Sequence, residues 1–283
     1  MSAKEQPVIK TIKLFINGEF PRTESGRSFA VPIHGSEHIY ANLCQASRKD
    51  LRAAVEAAKE GLKSWSGKTA FNRAQILYRM AEMLEGKKQE AGQILEDVQG
   101  LSKKDAEVEV TTAIQVLLYY AGFADKFSQV MASVNPVSGP FHNFTTPEPV
   151  GVVGFLADTG FSFWQWMDRL AAILCSGNSV VAVIGAPGAA LISLIGEVMA
   201  TSDVPKGVVN ILSGDINELF TPMASHMEVQ SICYWGEDQT KISQLHEQAT
   251  ENMKRVVYKY KPQSLESITA FTEFKTIWHP VGV

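Results

Sequence analysis

The sequence is poor in cysteine, has no long hydrophobic run and carries no large excess of charge. Its three cysteines, Cys44, Cys175 and Cys233, fit neither a disulfide framework nor the spacing of a metal site. A net charge of −4 argues against a nucleic-acid surface. The six histidines lack zinc-ligand spacing. We therefore expect reduced thiols, no bound metal and no nucleic-acid partner.

The sequence also shows no pattern typical of a membrane span or of a signal peptide. The most apolar stretches, 150–156 and 170–184, are too short or too interrupted to span a bilayer. Residues 1–13 are polar and lack the apolar core of a signal peptide. The sequence therefore predicts a cytoplasmic protein without a membrane partner.

The first half of the chain predicts a hairpin followed by helices. A strand at 14–16 enters a turn at Asn17-Gly18, and the return strand is expected at 27–33. Ser47 and Asp50 have the spacing of a capping box at the start of a helix. Apolar residues at helical spacing predict two further helices and then a long one over 103–129. Residues 135–149 are rich in Pro, Gly, Asn, Ser and Thr, which is typical of a loop or an extended arm.

From residue 150 the pattern changes to strands that alternate with helices. Strands are predicted at 150–156, 179–184, 208–212, 229–234 and 255–260. Such Val/Ile-rich runs between amphipathic helices favour an α/β fold with a doubly wound parallel sheet. The tail at 271–283 is expected to leave as one more extended segment.

Three stretches resemble the aldehyde dehydrogenase family. They are Leu14-Phe-Ile-Asn-Gly-Glu-Phe20, the run from Glu148-Pro-Val-Gly-Val-Val-Gly154 through Gly214, and Phe271-Thr-Glu-Phe-Lys-Thr276. The resemblance implies a Rossmann-like cofactor-type domain formed by 1–130 and 149–263. It also implies an oligomerisation arm at 131–148 with a C-terminal strand at 264–283, and a catalytic domain that is absent between them.

The same resemblance implies that the family's reactive groups have been replaced. The oxyanion asparagine corresponds to Gly160 and the general-base glutamate to Lys259. The ribose-binding Lys-Pro-x-Glu is replaced by Val183-Ile184-Gly185-Ala186. The last cysteine, Cys233, lies well upstream of the position of the family's nucleophile. No catalytic residue is therefore assigned.

Cofactor binding is weakened by these changes. The family's Gly-Ser-Thr-x-x-Gly, which opens a helix toward the pyrophosphate, corresponds to 236–241, where two carboxylates would repel an anion. The remaining cleft positions implied by the resemblance are Thr159, Val183, Gly214 and Gly236. We expect no cofactor, and NAD(P) stays as an alternative.

Several residues have both a functional and a structural interpretation. Lys259 is either a reactive amine or one of the lysines that protect a strand edge. The glycines of 185–188 either cradle a phosphate or form a plain strand-to-helix turn. The aromatic residues of 161–166 divide between core and a further surface, and Cys175 is expected to be an inert buried thiol.

The function expected from these observations is structural or regulatory. The chain would be a catalytically inactive aldehyde dehydrogenase-like protein that forms at least a dimer, with itself or with a full-length aldehyde dehydrogenase. One alternative is NAD(P)-dependent aldehyde oxidation that requires a partner chain. Another is a binding module for a different nucleotide or metabolite at the carboxyl edge of the sheet.

Overall fold

A computed structural model of the chain describes residues 8–158 and 160–282. The strands are β1 (Lys10–Ile12), β2 (Ser28–Pro32), β3 (Ile39–Cys44), β4 (Ser133–Asn135), β5 (Phe141–Pro149), β6 (Val152–Ala157), β7 (Ser179–Ile184), β8 (Val209–Ser213), β9 (Ser231–Trp235), β10 (Arg255–Val257) and β11 (Thr272–Pro280). The helices are α1 (Arg48–Ser66), α2 (Ala70–Gly86), α3 (Lys88–Gln99), α4 (Lys103–Phe123), α5 (Phe127–Met131), α6 (Phe163–Cys175), α7 (Ile192–Thr201), α8 (Ile216–Ala224), α9 (Gln239–Ala249) and α10 (Leu265–Thr269).

A five-stranded parallel sheet forms the centre of the molecule, in the order β10-β9-β6-β7-β8. Strands β6, β7 and β8 are buried along their whole length, as the near-continuous Val/Ile runs predict. Along β6 the side chains alternate: Val153 and Phe155 enter one hydrophobic cluster, while Val152 and Leu156 enter another. The predicted doubly wound α/β fold is therefore confirmed.

Helices cover both faces of this sheet. Apolar residues of α1, α8 and α9 form the cluster on the Leu156 face, and those of α2, α4, α6 and α7 pack on the Phe155 face. α1 approaches the sheet closely at Gly61, where a Cβ atom would overlap the backbone of Gly207 and Val208. Gly207 itself has a φ of +79°, so neither glycine can be replaced without moving α1 away from the sheet.

The start of α1 follows its predicted capping box. Ser47 Oγ accepts hydrogen bonds from the backbone N–H of Lys49 and Asp50, and Asp50 Oδ2 accepts one from Ser47 N–H at 2.8 Å. These three backbone N–H groups at the start of the helix are thereby satisfied.

The N-terminal hairpin prediction is partly wrong. Ile16 and Glu19 exchange backbone hydrogen bonds at 3.0 Å around Asn17-Gly18, so the tight turn is present. However, β2 pairs with β3 and not with residues 14–16, and Phe15 instead bridges Ile211 at the edge of the parallel sheet. The short loop between β2 and β3 makes their antiparallel pairing local, whereas residues 14–16 gain more by covering β8.

The long helix predicted over 103–129 is also interrupted. α4 ends at Phe123, and α5 begins only at Phe127 after a turn. Lys126 Nζ donates to the carbonyl oxygen of Gly122 at 2.8 Å and satisfies an acceptor that the helix end leaves open. Ala124 in the turn and Phe127 at the start of α5 are both buried in the core.

A separate three-stranded sheet, the arm sheet, is built from β4, β5 and β11 in the order β11-β5-β4. Residues 141–149 are therefore an extended arm and not a loop. β11 pairs with β5 in antiparallel register over its nine residues, from Thr272 opposite Pro149 to Pro280 opposite Phe141. Residues 265–271 do not join this sheet: Ile268 and Phe271 are buried in the main core.

Candidate functional site at the carboxyl edge of the parallel sheet

The strand order places a natural crevice between β6 and β9. The chain proceeds from β6 to β7 and β8 on one side and then returns to β9 on the other side of β6. In open parallel sheets, ligands bind outside the carboxyl ends of the strands at this switch point. The residues that follow β6 and β9 therefore form the candidate site.

An internal ion pair lies in this crevice. Asp158, directly after β6, accepts from Lys241 Nζ at 2.7 Å and from the Tyr234 hydroxyl at 2.6 Å, both at Oδ2. The side chains of Lys241 and Asp158 are only 20% and 16% exposed. Burial, and next the hydrogen bond to Asp158, raise the pKa of Tyr234. Asp158 N–H also donates to Trp235 O at 2.8 Å, which closes the gap between the two strand ends.

The amino end of α9 is occupied by its own cap. Asp238 Oδ1 accepts from the backbone N–H of Thr240 at 2.8 Å and of Lys241 at 3.4 Å. These are the groups that would otherwise bind an anion at a helix amino terminus. Gly236 lies beside them, and a Cβ atom there would overlap the ring of Tyr234. The structure thus gives Gly236 a packing role against Tyr234.

A second polar cluster seals the neighbouring part of the edge. Asp168 of α6 is fully buried and accepts from the Tyr260 hydroxyl at 2.5 Å, from Gln263 N–H at 3.1 Å and from the Tyr120 hydroxyl at 3.3 Å. Burial raises the pKa of Asp168, although these donors oppose that shift. Tyr120 also hydrogen-bonds the Ser267 hydroxyl at 2.8 Å. The segment after β10 is thereby fastened to α6.

Arg169 adds a stacking contact to this cluster. Its guanidinium carbon lies 4.6 Å from the ring centroid of Trp235 and 4.5 Å from that of Tyr260. Its Nη1 atom donates to Gln165 O at 3.0 Å. Sequence reasoning missed this cluster, although Asp168 and Arg169 are the only charged residues in the helix 163–175. Such a pair inside an apolar helix is the signal that could have found it.

The structure does not bring the sequence-predicted cleft residues together on one surface. Val183 is fully buried inside β7. Gly214 follows β8 and packs against Ala46, and Gly236 lies under Tyr234 at the far side of β6. Thr159 lies outside the described residues.

Gly160 borders an open groove of about 780 Å³. Phe161, Pro187, Val98 and the turn from Ile33 to Glu37 line the same groove. Nothing lies within 4 Å of a Cβ atom placed at Gly160, so this position is open. At Gly188 a Cβ atom would overlap the Phe161 ring, which supports the structural interpretation of the 185–188 turn.

Lys259 is exposed two residues beyond β10, which lies at the edge of the parallel sheet. Its Nζ atom lies 5.6 Å from the ring centroid of Tyr258. Two neighbouring basic residues are not exposed cations that protect the strand edge. Lys254 is buried, and Arg255 donates from Nη1 to the carbonyl oxygens of Ala270 and Thr272.

The three cysteines are buried, and burial raises the pKa of Cys175 and, to about 12, that of Cys233. Both thiols are therefore held in the unreactive protonated form. The aromatic residues of 161–166 divide as the sequence indicates: Phe163 and Trp166 are fully buried, whereas Phe161 and Trp164 are half-buried.

The described residues, 8–158 and 160–282, contain no group of three or more His, Cys, Asp or Glu side chains arranged to hold a metal ion. None of their helices combines the length and apolar character that crossing a bilayer requires.

Residues 21–266 match the model of the aldehyde dehydrogenase family. Among curated relatives, the mitochondrial benzaldehyde dehydrogenase of Antirrhinum majus is 28% identical over 263 residues, covering 90% of this chain and 49% of the relative. Retinal dehydrogenase 2 of Gallus gallus is 31% identical over 259 residues, covering 88% and 48%. The chain thus spans about half the length of the curated relatives it matches.

Solved structures agree with the sequence comparison. The NAD+ complex of an aldehyde dehydrogenase from Bacillus cereus superposes with a TM-score of 0.80 at 27% identity. The match covers 87% of this chain and 50% of that one. PnpE from Pseudomonas sp. WBC-3 gives a TM-score of 0.81 at 26% identity, with the same coverage.

Proposed function

Because the chain belongs to the aldehyde dehydrogenase family, we propose that it is a catalytically inactive member that acts as a structural or regulatory oligomerisation partner. Its partner would be a second copy or a full-length aldehyde dehydrogenase, in the cytoplasm and without nucleic acid or membrane. The observation that carries this proposal is the ion pair of Asp158 and Lys241 in the crevice at the switch point.

The residues of the crevice do not fit a dinucleotide. Asp158 and Asp238 present carboxylates where a diphosphate would need donors, and the carboxylate of Asp238 already accepts from the first amides of α9. Val183, at the family's ribose-binding lysine position, is buried in β7. An entering diphosphate would have to break the Asp158–Lys241 pair and overcome the repulsion of two carboxylates. Hydride transfer to a bound dinucleotide is therefore not part of the proposed function.

The chemical groups at the other transferred positions support the same proposal. Gly160 has no side chain to donate to an oxyanion, and Lys259 carries a positive charge where the family's general base would be. The buried thiols of Cys175 and Cys233 are held protonated. The oxyanion donor, the general base and a reactive thiol are thus all missing from these positions. The sheet and the arm strands keep the family's architecture.

Two measurements on the purified chain test the proposal. Calorimetric titration with NAD and with NADP is expected to give no heat of binding. Light scattering of the chain alone, and mixed with a full-length aldehyde dehydrogenase from the same source, is expected to give a dimer or a mixed species. Micromolar NAD binding would contradict the inactive assignment. A chain that stays monomeric and ignores the relative would contradict the partner role.

The open groove beside Gly160 favours a second candidate, a binding module for a metabolite other than a dinucleotide. It offers about 780 Å³ with an aromatic wall at Phe161 and polar groups at His34 and Glu37. A thermal-shift screen of small metabolites checks this candidate. Replacing Gly160 with Trp, which fills open space, should abolish any stabilisation that the screen finds.

A further inference from the structure

β11 has one edge that pairs with no strand of the described chain. It lies at the boundary of the arm sheet and bonds only to β5. Two hydrogen bonds at its ends show which residues of β11 direct their backbone groups toward β5. Val150 N–H donates to Phe271 O, and Val281 N–H donates to Pro140 O. Odd-numbered residues therefore bond to β5, because such contacts alternate in an antiparallel pair. The N–H and C=O groups of Phe274, Thr276 and Trp278 point away from the sheet.

The free edge is limited at both ends. At one end, the carbonyl oxygen of Thr272 is already occupied by the guanidinium of Arg255. At the other end, Pro280 has no N–H to donate. Between these ends, Phe274 and Trp278 are 47% and 58% exposed. The edge is an exposed pairing surface of a kind that proteins normally cover or interrupt.

We propose that this edge pairs with the same edge of a second copy of the chain, antiparallel and around a two-fold axis at Thr276. The proposal rests on the oligomeric role proposed above and specifies its interface. In this register Thr276 meets Thr276 of the second copy, and Phe274 meets Trp278 of the second copy on either side. Each of these pairs exchanges two backbone hydrogen bonds, so every free group of the three residues is satisfied.

The side chains agree with this register. On one face of the sheet, Phe274 lies opposite the aromatic Trp278 of the second copy. On the other face, Glu273 lies opposite His279, and Lys275 lies opposite Ile277, so no like charges meet. Lys275 is already neutralised by Glu148 at 3.4 Å. The two arm sheets would then form one continuous six-stranded sheet.

Neighbouring registers leave groups unpaired. An axis at Phe274 would bring Trp278 of the second copy opposite Ala270, which belongs to the turn after α10 and not to a strand. An axis at Trp278 would place Thr276 opposite Pro280 of the second copy, so the carbonyl oxygen of Thr276 would find no donor. An axis at Lys275 would place Lys275 opposite Lys275 of the second copy, where like charges repel. An axis at Ile277 would place Phe274 opposite Pro280, which has no N–H for the carbonyl oxygen of Phe274. The axis at Thr276 avoids each of these obstacles and pairs all three free residues.

Charge reversal at the axis tests the proposal. Thr276→Lys and Thr276→Glu each place two like charges side by side in the dimer, and each should weaken self-association about tenfold. An equimolar mixture of the two variants should recover a heterodimer, because opposite charges then meet. Sedimentation velocity and native mass spectrometry measure both effects. Thr276 is an exposed strand residue, so unchanged thermal unfolding should show that both variants fold.

Ser133→Lys and Ser133→Glu are the matched controls. Ser133 is exposed on β4, the opposite edge of the same arm sheet, and these variants should leave the dimer unchanged. A wild-type dimer that tolerates both Thr276 variants would overturn the β11 interface and leave the oligomeric role standing. A mixture that fails to form the heterodimer would overturn the axis. A wild-type chain that is monomeric but binds a full-length relative would overturn self-pairing alone.

Discussion

At the carboxyl edge of the parallel sheet, Asp158 meets Lys241 and Tyr234, whereas along β11 the polar groups of Phe274, Thr276 and Trp278 have no partner within the described chain. Both places are boundaries of a sheet, where proteins commonly bind ligands or partners. In the first, the chain's own side chains satisfy the donors and acceptors. In the second, they are left for another molecule.

Under the proposed function, the scaffold has lost one kind of binding and kept another. A crevice filled by an internal ion pair offers a ligand no net gain, because each new contact replaces an existing one. A free strand edge has no internal contact to break, so each hydrogen bond to a new strand replaces only one to water and gives a small net gain. The function of this chain should therefore reside in the arm sheet and not in the crevice.

The largest contrast is expected between two tryptophans. Trp166 is fully buried and stacks on Phe155 at 5.9 Å, so Trp166→Ala should lower the free energy of unfolding by about 3–5 kcal/mol. Trp278→Ala on exposed β11 should lower it by less than about 1 kcal/mol. Urea unfolding of the two variants measures both changes. Equal losses would mean that the arm is as tightly packed as the core.

The next effect concerns Asp168. Asp168→Ala removes the acceptor of Tyr260, Tyr120 and Gln263 and should cost about 2–3 kcal/mol. Asp168→Asn keeps one oxygen acceptor and should cost less. If chemical denaturation gives the same loss for both variants, the hydrogen bonds are not what fastens the segment after β10.

Asp168 also predicts a pH dependence. Because its pKa is raised on folding, the folded state holds the proton more tightly than the unfolded state. The stability of the wild type should therefore fall as the pH rises from the ordinary aspartate pKa near 3.9 through the raised value, and level off above it. Subtracting the profile of Asp168→Asn isolates this contribution. A difference profile that is flat or of opposite slope would contradict the raised pKa.

A smaller effect is expected in the crevice itself. Lys241→Ala leaves Asp158 with only the Tyr234 hydroxyl and should cost about 1–2 kcal/mol. Combining it with Asp158→Ala should cost clearly less than the sum of the two single variants, because the pair is then removed as a unit. Thermal unfolding of the four proteins gives the coupling energy. Strict additivity would show that the ion pair does not close the crevice.

The last expected effect is a pH dependence of stability caused by Lys254, which directly precedes β10. Lys254 is buried, no acceptor for its Nζ is found among the described residues, and burial lowers its pKa to about 8. The unfolded state therefore binds more protons between about pH 8 and the ordinary lysine value near 10.4, so stability should rise over this window. Lys254→Met should remove this rise, because the variant has no group that titrates at that position. A profile unchanged by Lys254→Met would show that Nζ reaches solvent.

The parallel sheet could be predicted from the sequence because each strand carries its own signal. The run 179–184 is apolar at every position but the first and is bounded by turn residues, and β7 has those bounds. β3 was missed since Asn42 and Tyr40 interrupt its apolar residues. Only the alternation of buried Ala41 and Leu43 marks it as a strand.

The site was harder to predict because its contacts join distant parts of the chain. Asp158 and Lys241 are 83 residues apart, and neither carries a local signal for the other. Sequence reasoning placed residues 236–241 at this edge of the sheet and expected two carboxylates there to repel an anion. It could not show that Lys241 would neutralise Asp158, because that contact depends on the direction that α9 takes after the end of β9.

The long separation of β5 and β11 also affects how the chain folds. Thr145 and Thr276 touch across the two strands although they are 131 residues apart in the chain. Contacts of this kind form late, because the entropy of closing so long a loop must be overcome first. During synthesis, the edge of β5 that pairs with β11 therefore stays exposed until residue 280 has been made. Until that point, chaperones or other nascent chains can bind to this edge. Pulsed hydrogen exchange should find the amides of β11 among the last to become protected.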